Sequence, residues 1–147
     1  MSLFLFLEGQ LPDSKGRYLQ DILNFSDYEI ENTHDFIQWV FPLAEASRSN
    51  FTAPVLEKFE IEEIRSSNVA KINIIYASQW YLSFLKRQNH WIRDYDHNHL
   101  RITRVIKSLR LLVSNETADS FYDDIKHQLR DHIYNINEKA VRFWNNA

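Results

Sequence analysis

Cysteine is absent from the 147-residue chain, glycine occurs twice and proline three times. Without a thiol there is no thiolate nucleophile, no thiolate-bound zinc or iron–sulfur cluster and no disulfide framework, which suits a reducing compartment. Gly9 and Gly16 fit neither the P-loop nor the dinucleotide fingerprint. Both need glycines at fixed intervals, where the backbone closes on a phosphate. So little turn glycine also disfavours hairpin-rich β folds. An excess of one charge is missing too. The 17 basic and 20 acidic residues, net −3, supply no general attraction to nucleic acid or anionic lipid, so no nucleic-acid partner is expected. The apolar start, residues 1–7, has no cationic segment before it and is too short for a signal core or a membrane span. It reads as a packed terminus. No transmembrane segment is expected, the expected location is cytoplasmic, and the Asn-x-Ser/Thr triplets at Asn24, Asn50 and Asn115 read as chance.

What is present describes a soluble globule. A hydrophobic fraction of 44% with 25% charge, and no Pro/Gly/Ser stretch long enough to be a linker, predicts one domain over 1–147. After the turn signal at 11–16, Tyr18, Leu19, Ile22 and Leu23 recur at helical spacing and predict a short helix over 17–24. Ser26 and Glu29 form a capping box, so a second helix starts there. Its stripe is Ile30, Ile37, Val40 and Phe41, and Pro42 ends it. Residues 43–54 read as a loop and 57–66 as a short acidic helix. Over 68–87, Val69, Ile72, Tyr76, Trp80 and Phe84 form one stripe, and Ile75, Leu82 and Leu85 cover another side. That predicts a helix buried on most faces. After a polar loop over 88–96, Asp96 or Asn98 caps a helix carrying Ile102, Val105, Ile106, Leu109 and Leu112. Ser114 or Asn115 starts another, with Phe121, Ile125, Leu129 and Ile133. Asn137 caps a last one ending at Phe143 and Trp144, a single helix over 116–145 being the alternative. The predicted architecture is an all-α bundle of about six helices.

Several strings are specific enough to carry a resemblance. They are Gly9, Pro12, Asp13, Gly16, Arg17 and Leu19; the run His34, Asp35, Phe36, Ile37, Gln38, Trp39, Val40, Phe41, Pro42; then Asn50, Ala53 and Pro54; and Leu100, Arg101, Ile102, Thr103, Arg104. Together they resemble the conserved domain of the opioid growth factor receptor family, over nearly the whole chain. The resemblance implies the family's fold. Vertebrate members are described as receptors for a short enkephalin-type peptide at the nuclear periphery, with a long repeat-bearing C-terminal extension that has no counterpart here. The chain is similar to compact microbial members, so the ligand is left undefined. Peripheral membrane association is the alternative location that the family implies.

Each candidate constellation has a structural alternative. His34 and Asp35 resemble the adjacent metal ligands of helical phosphohydrolases, yet no histidine precedes His34. Set between Ile30 and Ile37, His34 reads as a structural histidine bonded to Glu31, Gln38 or Arg17. The segment 90–99, with His90, His97 and His99, concentrates metal-type donors but lacks a helical ligand pair, and Arg93 would repel a cation. No metal or cofactor is therefore assigned. Arg101, Arg104, Lys107 and Arg110 lie on a helix free of acidic residues. They either meet an anionic group or pair with the helix carrying Glu57, Glu60, Glu62 and Glu63. Trp39 and Trp80 read as packing, whereas Trp91 and Trp144 would mark a contact surface if exposed.

The reading that results is a helical binding module with no catalytic residue, whose ligand site comprises Asp13, Arg17, His34, Gln38, Trp39, Arg101 and Arg104. Its partner is an undefined small molecule, peptide or protein. A metal-assisted hydrolase using His34 and Asp35, or His90, His97 and His99, is the competing reading. A third is a homo-oligomer in which the basic helix docks on a neighbour's acidic one.

Overall fold

The computed structural model describes residues 2–147; Met1, the first residue of the predicted packed terminus, lies outside them. Among the described residues the chain forms nine α-helices and no strand. They are α1 (Leu3–Leu7), α2 (Leu19–Leu23), α3 (Asp27–Asn32), α4 (Ile37–Val40), α5 (Lys58–Arg65), α6 (Asn68–Arg87), α7 (His97–Leu112), α8 (Asn115–Leu129) and α9 (Glu138–Asn146). A 3₁₀ turn, Arg130–Asn135, follows α8. The fold is the expected all-α bundle, built from five longer helices and four short ones. No helix among the described residues is long and apolar enough to cross a membrane.

The long helices follow their periodicity. On α7, Ile102, Val105, Ile106, Leu109 and Leu112 are all fully buried, and α7 packs against α8, α9, α6 and α5. Only residues 113 and 114 separate α7 from α8, so the two return antiparallel. Caps sit where local chemistry puts them: Ser26 Oγ accepts the Glu29 amide, Asp96 accepts that of Asn98, and Ser114 that of Thr117. Asn137 accepts the Ala140 amide and starts α9 as a separate helix, after α8 breaks at Arg130 with φ 49°. At the start of the chain, α1 buries Leu3, Phe6 and Leu7 against α4, α5 and α6.

Three expectations change. The helix predicted over 26–41 is two helices, because residues 33–36 leave helical geometry between α3 and α4. On α6 the stripe Val69, Ile72 and Tyr76 is exposed, and the buried one is Ala70, Ile74, Ala77, Tyr81 and Leu85. Helices α1 and α5 pack against α6 but leave that stripe uncovered. Trp91 and Trp144 are not surface residues: both are buried, with Trp91 Nε1 donating to the Leu85 and Gln88 carbonyls and Trp144 Nε1 to that of His99.

The α6 finding has a direct check. Ile72→Lys should change unfolding free energy by no more than about 0.5 kcal/mol. Ile74→Ala, one face away and fully buried, should cost about 3 kcal/mol. Denaturant titration of both variants reads the difference.

Candidate functional site

The break between α3 and α4 shapes the site. Arg101, 6% exposed, projects from α7 beneath the end of α3 and donates at 2.8 Å to both the Ile30 and Thr33 carbonyls. A cation at a helix C-terminus satisfies the carbonyls left without intrahelical donors and meets the negative end of the helix dipole. Its guanidinium also lies 5.3 Å from the centre of the Phe36 ring. Farther along α7, Arg104 Nη1 donates to the Phe41 carbonyl at 3.1 Å and Ser108 Oγ to that of Pro42 at 2.9 Å. One face of α7 thus holds the backbone of the 30–42 segment at four carbonyls. Beside Arg101, the Tyr81 hydroxyl donates to Asn98 Oδ1 at 2.6 Å, and burial raises its pKa despite the nearby guanidinium.

The α7 cations do not pair with the acidic helix. Lys107 meets Glu45 and Arg110 meets Asp119, whereas α5 keeps Glu60 for the Leu3 amide and Glu62 for Arg65. The acidic helix is occupied with the chain's start, leaving α7 to bind carbonyls.

Asp13 and Arg17 are also committed internally. Asp13 Oδ1 accepts the Lys15 and Arg17 amides at 2.9 Å, and its Oδ2 accepts Arg17 Nε at 2.7 Å. Arg17 Nη1 then reaches Asp35 at 2.9 Å, and Lys15 takes the other Asp35 oxygen at 2.8 Å. Burial opposes ionisation of Asp35, but the bonds from Lys15 and Arg17 outweigh it and lower its pKa. His34 and Asp35 consequently form no ligand pair. His34 is exposed, and only its backbone carbonyl is engaged, by Gln38 Nε2 at 3.4 Å. The buried, satisfied histidine expected there is not found, because residues 33–36 are not helical.

Gln38 and Arg104 retain unused capacity. Together with His34, Ile37, Ser49, His97, Leu100 and Arg101 they line a cavity of about 240 Å³ between α4 and α7. Gln38 is 3% exposed, yet its Oε1 has no hydrogen-bond partner. Turning the amide over would set that oxygen against the His34 carbonyl, so the assignment of Oε1 stands. Arg104 has five N–H donors and one protein acceptor, and no carboxylate lies within ion-pair distance among the described residues. Burial lowers its pKa, with Glu45 opposing from a distance. A shallow cleft of about 460 Å³, lined by Lys15, Asp35, Trp39, Asn50 and others, adjoins the cavity and shares His34 and Ser49 with it. A third depression, about 530 Å³, lies against α9 and contains none of the seven predicted residues.

The predicted seven therefore divide. His34, Gln38, Arg101 and Arg104 share one cavity, Trp39 lines the neighbouring cleft, and Asp13 and Arg17 brace that cleft's wall. Ser49 and Leu100 line the cavity but were not among the predicted site residues, since neither residue type signals chemistry alone. Of the histidines, His90 and His97 converge on Glu31, while His99 Nε2 is engaged by the Trp91 carbonyl at 2.8 Å.

Comparison with known proteins agrees with the motifs. The family model for the opioid growth factor receptor conserved region matches residues 6–144. The chain is similar to opioid growth factor receptor-like protein 1 of Mus musculus, at 30% identity over 167 aligned positions covering 98% of this chain and 36% of that protein. Against the Xenopus tropicalis protein of the same name, identity is 36% over 119 positions, covering 67% and 22%. With the opioid growth factor receptor of Homo sapiens it is 34% over 115 positions, covering 64% and 17%. The chain spans about a third of the length of the first of these and less of the others. No solved structure matches it.

The roles of the two arginines separate by mutation. Arg101→Met leaves the Ile30 and Thr33 carbonyls without their charged donor and should cost about 3 kcal/mol. Arg104→Met, losing one bond from a half-solvated side chain, should cost about 1 kcal/mol. Equal costs in urea titration would contradict the division.

Proposed function

The chain belongs to the opioid growth factor receptor conserved-region family, and from that premise we propose that it is a ligand-binding module acting as one domain over 1–147. The observation that carries this reading is the pairing, in one cavity, of a buried acceptor without a donor and a half-buried cation without an anion: Gln38 Oε1 and Arg104. An unpaired buried polar atom costs about 1–3 kcal/mol, and a partly buried unpaired guanidinium adds to that. A ligand carrying an anionic acceptor beside a donor would remove both deficits.

A carboxylate next to an N–H meets that description. Its oxygens would take the free Arg104 donors in a two-pronged pair, while the neighbouring N–H donates to Gln38 Oε1. A volume of about 240 Å³ is below that of a usual small-molecule pocket, so it suits one terminal group. The adjoining cleft, with Trp39 and Lys15 on its wall, would take the rest of the ligand. In this reading Arg104, Gln38 and His34 touch the ligand. Arg101, Asp13 and Arg17 hold the walls in place. The relatives are named as a receptor and a receptor-like protein, which agrees with a binding role.

Isothermal titration with short N-acetylated peptides bearing a free C-terminal carboxylate, beside their C-terminal amides, tests the reading. Binding should require the carboxylate. Arg104→Met should weaken it by about 1.5 kcal/mol or more, roughly tenfold, and Gln38→Leu should weaken it less. Equal binding of acids and amides, or an unaffected Arg104→Met variant, would refute the proposal.

A further inference from the structure

We infer that Glu31, His90 and His97 form a binding site for a divalent transition-metal ion, with zinc the ion that the donor set suits best. The residues come from three separate segments: Glu31 from α3, His90 from the 88–96 loop and His97 from the first position of α7. Each imidazole turns its Nε2 toward a different oxygen of one carboxylate, His90 at 2.7 Å from Oε2 and His97 at 2.6 Å from Oε1. Two neutral imidazoles and one carboxylate form a nitrogen-rich set that favours zinc over magnesium or calcium.

The surroundings orient these groups. Asn98 Nδ2 approaches both Glu31 oxygens, at 3.3 and 3.4 Å, and fixes the carboxylate. Asp96 Oδ1 lies 3.9 Å from His97 Nδ1, the nitrogen that does not face Glu31. At that distance the carboxylate attracts the ring electrostatically without a hydrogen bond, being held itself by Asn98. Ligand atoms of Glu31, Asp96 and His97 all lie within 4.8 Å of one another. The His34 ring stands edge-on to His97, with ring centres 5.5 Å apart.

The two imidazoles face different oxygens of Glu31, so binding requires His90 to swing toward His97. Zinc bonds of about 2.0–2.2 Å in a tetrahedral arrangement separate ligand atoms by roughly 3.3 Å, so each N···O distance opens by about 0.6 Å. His90 and His97 side chains are each 41% exposed, one on a loop and one at a helix end, and have room to shift. The opposing charges are already engaged: Arg101 with the Ile30 and Thr33 carbonyls, Arg93 with Asp96. The metal site adjoins the carboxylate cavity, whose lining includes His97, but uses neither Arg104 nor Gln38.

Untagged protein, freed of metal by a chelator and dialysed, is titrated with zinc chloride at neutral pH by calorimetry and followed by thermal melting. The expected result is one equivalent bound per chain and a raised midpoint, because the ion ties three segments of the folded state only. Cobalt in place of zinc should give visible absorption bands of nitrogen and oxygen coordination. His90→Ala and His97→Ala should each lose binding, and Glu31→Gln should weaken it, whereas His132→Ala, in the 3₁₀ turn, should keep it. Circular dichroism of each variant confirms folding. Absence of a binding heat and a midpoint shift, or undiminished binding in the His90→Ala/His97→Ala double variant, overturns the inference.

Discussion

The fold turns on a buried guanidinium placed at the end of a helix that has been cut short. Arg101 reaches the Ile30 and Thr33 carbonyls at 2.8 Å, and Arg104 and Ser108 take those of Phe41 and Pro42. Without these donors the 30–42 segment would lose its partners for buried carbonyls, and leaving such groups dry and unpaired is more costly than the bonds are worth singly. The constraint runs both ways. By taking over the carbonyls, α7 frees residues 33–36 from helical geometry, which exposes His34 and lets Asp35 reach Lys15 and Arg17.

Much of the architecture was legible in local patterns. Periodicity located α7, because its five apolar positions recur at steps that no strand would produce, and the cap residues Ser26, Ser114 and Asn137 marked helix starts by chemistry that needs no distant partner. The break at 33–36 was not legible. Its cause is an arginine about seventy positions downstream, and until Arg101 is in place, 26–41 reads as one helix. The exposed face of α6 was hidden for a related reason: Val69, Ile72 and Tyr76 have the right spacing for burial, and only the placement of the distant helices leaves them uncovered.

Sequence motifs named residues that the fold brings into one neighbourhood, but not how they divide the labour. The motif strings gathered Asp13, Arg17, His34, Gln38, Trp39, Arg101 and Arg104, which do lie close together. Whether a polar side chain serves the fold or remains available depends on how many of its donors and acceptors the protein fills. Asp13 accepts three bonds and Arg101 gives up its donors to backbone, whereas Gln38 and Arg104 keep unfilled capacity in the same cavity. No sequence pattern records that balance. Glu31 and His90, fifty-nine positions apart, meet through the same packing of α3 against the α7 entry.

In the proposed site, two neighbouring arginines on one helix have opposite roles, one closed and one open. Nitrogen-15 spectra of the arginine side chains, recorded while an N-acetylated peptide with a free carboxylate is added, address this division directly. Arg101 should show slowly exchanging guanidinium protons whose shifts stay fixed throughout, while the Arg104 resonance moves and saturates. A titration that moves Arg101, or leaves Arg104 in place, would contradict the account.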